Sequence, residues 1–159
     1  MAITTAPFTW YDSGLKHLSL PNLLTDDIKV ALCTSGYVPN AASHEFFDVS
    51  VTNELATANG YTAGGLSLTT KAINSGTNPG EWEVTSDDPS WTATGGSITA
   101  RLFVLYNNTP ASNKPLIGYG YLNWNNGTPL DVSIADTYQL AILIPTTGWF
   151  YTQKTDGAA

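Results

Sequence analysis

The sequence predicts an all-β fold: an antiparallel sandwich or barrel of about eight to ten short strands, with one or two short helical turns and an irregular amino-terminal arm. Three observations carry that expectation. Only 12% of the 159 residues are charged while 42% are apolar, and Gly, Asn, Ser and Thr are abundant, which suits short strands and many turns. Apolar and hydroxyl residues alternate with a period of two in several runs. Turn residues recur between those runs at the spacing that sandwiches and barrels require.

Residues 1–27 read as an arm that packs on the domain or on a neighbour, and residues 28–159 as a single β domain. Within the arm, Asp12 to Leu20 places Tyr11, Leu15 and Leu18 on one face behind a capping residue, Asp12 or Ser13, enough for about two helical turns. Ile28 to Thr34 is an apolar run between Asp26, Asp27 and the turn residues Ser35, Gly36 and Pro39, as expected of a core strand. Ser43 to Phe47 can form one helical turn capped by Ser43. In ATANGYTAGGLSLTTKAI, Asn59 and Gly60 predict a tight turn with positive φ. Gly64 and Gly65 then remove side chains where the chain enters its sheet, so that another backbone can come close and Tyr61 is held on a fixed corner.

Leu66 to Ile73 alternates as one strand. Glu81 to Thr85 reads as a short strand, followed by a turn at Asp87, Asp88 and Pro89. Ile98 to Tyr106 is richest in β-branched and aromatic residues and is expected at the centre of a sheet. Leu116 to Trp124 alternates too, with Gly118 and Gly120 signalling a bulge or the close approach of another backbone. Asn126 and Gly127 form a type I′ signal that joins this strand to LDVSI as a hairpin. Tyr138 to Ile144 is apolar on both faces and is expected to be covered on both, and Trp149 to Gln153 is the last strand.

Thirteen acids against six bases give a formal charge of −7, which repels phosphate backbones and anionic lipid and so argues against nucleic acid and membrane partners. No run of apolar residues is long enough to span a bilayer, and MAITTAPFTWYDSGLK has neither the basic start nor the apolar run of a signal peptide, so the expectation is a soluble chain made in the cytoplasm. Catalytic signals are sparse. The two histidines are His17, which reads as an exposed helix residue, and His44, which stands beside Ser43, Glu45 and Asp48 and reads as part of a capped turn more than as a hydrolase base. No nucleophile elbow, Walker loop or dinucleotide-binding glycine pattern occurs. The single cysteine, Cys33, reads as a small buried hydrophobe. Metal binding would fall to the acid pairs Asp26 with Asp27 and Asp87 with Asp88, which could offer oxygen ligands to calcium but more simply face water in turns. No catalytic residue, metal or cofactor is expected.

Five Trp and eight Tyr are the most distinctive resource of the chain. Trp and Tyr combine large apolar area with a polar tip, which suits a core or a protein interface, and exposed planar rings also suit a sugar platform. Trp10, Tyr11, Tyr61, Trp82, Trp91, Trp124 and Trp149 are the candidate interface residues.

A resemblance adds to this reading. IKVALCTSGYVPN, HEFFDVSVTNELATANGYTAGGLSLTTKAI, DDPSWTATGGSITARLFVLYNNTP and PLIGYGYL, from about Trp10 to Tyr121, together resemble a family of small structural proteins of tailed bacteriophages. The most specific parts are NEL with the following GYTAGG, and the pairing of Ser90 and Trp91 with ARLFVLY. The resemblance implies a non-enzymatic virion component, on the head surface as a decoration or cement protein that contacts the major capsid protein and other virion proteins, or in the tail. It also implies a β-rich protein that forms homo-oligomers such as trimers. The alternative expectation is a tail or fibre module that binds a host glycan through exposed aromatics.

Overall fold

The computed structural model describes residues 8–17, 20–76, 82–145 and 148–152. Its organising element is an antiparallel five-stranded sheet built from β1 (Thr9–Trp10), β2 (Ile28–Cys33), β3 (Leu66–Ser67), β8 (Leu102–Asn107) and β9 (Leu116–Tyr121), in the order β1-β9-β8-β2-β3. The two most apolar runs of the sequence, β2 and β8, pair from Ile28 with Asn107 to Cys33 with Leu102 and occupy the middle. Both faces of this pair are covered.

One face supplies Val30, Leu32, Phe103, Leu105 and Ile117 to the larger core. Opposite it lie three small antiparallel ladders: β4 (Ala72–Ser75) with β5 (Trp82–Thr85) and β14 (Phe150–Thr152); β6 (Ser90–Thr92) with β13 (Gln139–Ala141); and β7 (Ile98–Ala100) with β12 (Val132–Ile134). They contribute Val84, Trp91, Ile98, Val132 and Leu140 to that core. The other face of the sheet supplies Ala31, Cys33, Val104, Tyr106 and Leu116 to a smaller core, closed by Tyr11, Tyr37, Phe47 and Val51. Three short helices, α1 (Asp12–His17), α2 (Leu20–Thr25) and α3 (Phe47–Ser50), complete the described elements, with the hairpin of β10 (Asn123–Asn125) and β11 (Thr128–Leu130). The fold is therefore all-β and antiparallel with a few short helices, as the composition and alternation predicted.

The described part of the arm lies against the main sheet. β1 pairs with β9 through Thr9–Tyr119 and Trp10–Gly118, Tyr11 is fully buried and Leu23 joins the larger core, so its described part packs on its own domain.

Several expected strands are cut shorter, each for a physical reason. Ile98 to Tyr106 breaks at Arg101, where the chain passes from the β12 partner to the β2 and β9 partners; the Arg101 N–H donates to Cys33 O and its carbonyl accepts from Leu122 N. Leu66 to Ile73 breaks at Thr70, whose φ is +51°, unusual for a β-branched residue. The hydroxyls of Thr69 and Thr70 both donate to the Asp87 carboxylate, and that shared acceptor holds the corner. Tyr138 to Ile144 is not covered on both sides. Leu140 and Ile142 are buried, whereas Tyr138 is 66% and Leu143 69% exposed, because β13 lies in the outer layer with cover on one face. Asn126–Gly127 does close a hairpin, but the paired segment is Thr128–Leu130, while Val132–Ile134 crosses to β7.

The glycines of β9 answer to rings rather than to backbone. A Cβ on Gly118 would sit 2.0 Å from the Phe8 ring, and one on Gly120 2.6 Å from that of Phe103. The predicted bulge is also present. Pairing shifts between Leu105 and Tyr106, leaving Ile117 as the extra residue, so that Leu116 faces the smaller core while Ile117 faces the larger.

Candidate functional site

Tyr119 and Tyr121 stand two residues apart on β9, hence on one face of the sheet, and both pack at the margin of the smaller core with their side chains half-exposed. The Tyr11 ring lies 5.3 Å from that of Tyr119, Tyr119 meets Tyr121 edge-on at 6.0 Å, and Tyr121 meets Trp124 at 5.1 Å with a tilt of 33°. A strip of rings thus runs from the buried end of the arm to the β10–β11 hairpin. Trp124 is 37% exposed at its outer end. Beside the strip, Arg101 Nε donates to Asp131 Oδ1 at 2.7 Å; burial raises the Tyr121 phenol above its ordinary range, Tyr119 adds to this, and the Arg101 charge partly offsets it.

The inner end of the strip is held firmly, because β9 pairs with both β8 and β1 at Tyr119, while Tyr121 pairs with β8 and Trp124 with Pro129 across the β10–β11 hairpin. Rings on such a frame lose little conformational freedom when a partner covers them, which is the property of interface anchors.

Of the seven candidate interface residues, four belong to the interior, and their assignment as contact residues is corrected by burial. Tyr11 closes the smaller core. Tyr61 and Trp91 pack in the larger one with ring centres 6.2 Å apart. Trp149 sits with Phe8 and Phe103 at 6.2 and 5.9 Å and donates its indole N–H to Ser86 Oγ at 2.9 Å. Trp10 is half-buried, edge-on to Phe8 at 5.6 Å. Trp82, 48% exposed on β5, and Trp124 are the two of the seven that are exposed. The structure brings Trp124 together with Tyr119 and Tyr121, two residues the sequence reading did not single out. Their signal was the GYGY alternation, in which each tyrosine follows a glycine whose missing side chain makes room on the opposite face.

The acids that could have offered metal ligands serve as loop staples. Asp26 Oδ2 accepts from Asn107 Nδ2 and Asp27 from Ser67 Oγ and Asn108 Nδ2, tying the start of β2 to the end of β8. Asp87 holds Thr69 and Thr70, Asp88 accepts the Ile144 N–H, and Asp48 accepts the N–H groups of Asn113 and Lys114. Among the described residues no three His, Cys, Asp or Glu side chains gather as a metal site. Nor is any described helix long and apolar enough to cross a membrane.

Cys33 is buried, and desolvation, with the nearby Glu54 charge, pushes its thiol far above the usual range. The Nδ1 atom of His44 is occupied by the Tyr37 hydroxyl at 3.0 Å and the Asn40 N–H at 3.3 Å. No family model, no curated protein and no solved structure matches the chain. Its functional reading therefore rests on the residues themselves.

Proposed function

We propose that this chain is a non-enzymatic structural protein of a tailed-phage particle, made in the host cytoplasm and added to the head surface as a decoration or cement protein. Its partners in this reading are the major capsid protein lattice, other virion proteins and further copies of itself. The observation that carries the proposal is the strip Tyr119–Tyr121–Trp124, which starts on the doubly paired part of β9 and ends on the β10–β11 hairpin, an aromatic contact surface on a protein several of whose acids hold its loops. The net charge of −7 supports a place on the outer side of a shell, away from packaged DNA. The resemblance carried by NEL, GYTAGG and ARLFVLY points to the same kind of particle.

Mechanically the protein acts by mass action. A subunit that binds the assembled lattice and not its free components stabilises the lattice in proportion to occupancy. The test is to add the purified protein to heads that lack it. Binding with a rise in the disruption temperature of the heads is expected; no binding and an unchanged temperature would overturn the proposal.

The exposed Trp124 face favours one second reading, a tail or fibre module that stacks on a host sugar. A glycan-array signal lost in Trp124→Ala, with no binding to heads, would select it.

A further inference from the structure

The chain holds two Asn–Gly pairs, Asn59–Gly60 and Asn126–Gly127, and folds both into the same kind of two-residue turn. Asn59 and Gly60 have φ of +53° and +88°, and Asn126 and Gly127 have +46° and +89°. The first turn is closed by Ala58 and Tyr61, whose N–H groups donate to each other's carbonyls at 3.1 and 2.9 Å, and the second by the pairing of Asn125 with Thr128. Their surroundings differ. Asn59 Nδ2 donates to Ser97 O at 2.9 Å, and Asn59 Oδ1 fills the space beside Gly96, 2.6 Å from where a Cβ would stand. The Asn59 carbonyl accepts the Thr94 N–H, and a Cβ on Gly60 would lie 2.1 Å from Thr92 O, so side chain and backbone are both fixed against residues 92–97. Asn126 has no such support. Among the described residues no hydrogen bond reaches its side chain, both turn residues are exposed, and nothing stands within 4 Å of a Cβ built on Gly127. The ladder that carries it, β10 with β11, has three residues in each strand and pairs with no other strand, a hairpin that opens at little cost.

We propose that Asn126 is a site of spontaneous deamidation, and that the fold protects Asn59, which has the same neighbour in the same turn. The Gly127 nitrogen gives its proton to water and attacks Asn126 Cγ, forming a five-membered succinimide. The bond from Cγ to Nδ2 breaks, and that nitrogen leaves as ammonia with a proton taken from solvent. Water then opens the ring at either carbonyl and leaves an aspartyl or an isoaspartyl residue at position 126, with no oxidant or reductant involved. Glycine as the following residue favours the attack, because no Cβ shields its nitrogen and its backbone can turn to meet Cγ. Ring closure requires the asparagine side chain to swing towards its own backbone. Asn126 does so without breaking a bond, whereas Asn59 must first give up Ser97 and its packing on Gly96. Either product adds one negative charge at the hairpin tip, and the isoaspartyl form also lengthens the main chain by one methylene within the turn. Trp124 pairs with Pro129 one step from that turn, so the change reaches the outer end of the aromatic strip. Only that last consequence rests on the assembly reading; the reaction is tested without heads.

The test incubates the full folded chain at body temperature and mildly alkaline pH, where the Gly127 nitrogen loses its proton more readily, beside a second sample held unfolded in guanidinium chloride. Peptide mapping by mass spectrometry follows both asparagines, and enzymatic methylation of isoaspartyl groups gives a second readout. In the folded protein, conversion at Asn126 is expected to run about tenfold or more ahead of conversion at Asn59, with isoaspartyl product among the peptides. In the unfolded sample the two positions should convert at similar rates. No conversion at Asn126 in the folded protein, or equal rates at the two positions there, would overturn the proposal. So would a difference that persists unchanged in the unfolded chain, because local sequence and not the fold would then set it.

Discussion

The phenol of Tyr61 donates to Glu54 Oε1 across 2.6 Å and, through the same oxygen, accepts the Leu32 N–H at 3.1 Å. Glu54 also takes the Gly64 N–H, and the Tyr106 hydroxyl donates to Gly64 O at 2.8 Å. One buried phenol therefore joins the β2 backbone to the loop that enters β3. Tyr61→Phe keeps the ring and leaves the Leu32 N–H without its acceptor, an expected loss of about 1–3 kcal/mol in urea unfolding. A loss no larger than that of an exposed control such as Tyr138→Phe would show that the hydroxyl bonds matter little.

Gly65 and Gly127 both have positive φ, +69° and +89°, but differ in surroundings. A Cβ on Gly65 would lie 1.9 Å from Val30 O, whereas one on Gly127 would meet nothing within 4 Å. Gly127→Ala should cost the backbone term alone, about 1–2 kcal/mol, and Gly65→Ala distinctly more, since two strands must part. Equal melting temperatures for the two variants would contradict the close approach.

Acid should weaken the protein through Asp27 and Asp48. Desolvation pushes the Asp27 carboxyl up, but hydrogen bonds from Ser67 and Asn108, aided by Lys29 and Lys71, outweigh it and leave the group below its ordinary range. Desolvation of Asp48 is likewise outweighed by the N–H groups of Lys114 and Asn113 together with the Lys114 charge. The folded values lie below the unfolded ones, so this stabilisation is complete above about pH 4 and is lost as pH falls through the folded values. Asp27→Asn and Asp48→Asn should each make the loss of stability in that acid range shallower, as read by circular dichroism.

At alkaline pH the tyrosines act in the opposite direction. Burial pushes the Tyr37 phenol up to about 12, and burial with hydrogen bonding raises Tyr11 and Tyr61 further. Their folded values exceed the unfolded ones, so stability is intact below about pH 10 and declines above it. Phenolate absorbance should report these three groups only as the protein unfolds.

Removing an aromatic ring should cost most where the ring is enclosed. Trp91→Ala is expected to destabilise by about 3–5 kcal/mol, while Trp124→Ala, which loses mainly its stacking on Tyr121, should stay within about 1 kcal/mol of the parent. Chemical denaturation of both variants checks the contrast.

Much of this architecture was legible because local chemistry and tertiary context agree. Asn59–Gly60 and Asn126–Gly127 both adopt the positive φ that a type I′ turn requires, and the apolar runs of β2 and β8 take the centre of the sheet. The breaks at Thr70 and Arg101 were not legible, since each depends on a partner distant in sequence: Asp87 for the first, and the exchange of β12 for β2 for the second. Burial of the tryptophans was hidden for a similar reason. Trp91 and Trp124 both lie in short polar-flanked runs, and only the layer above β6, and its absence above β10, separates a core ring from a surface one.

The measurement closest to the central claim is the binding of the parent protein and of Trp124→Ala to heads that lack it, with the disruption temperature of the heads as readout. The account predicts saturable binding and a raised temperature with the parent, and loss of both with the folded variant. No binding by the parent, or equal binding by the two, would contradict it.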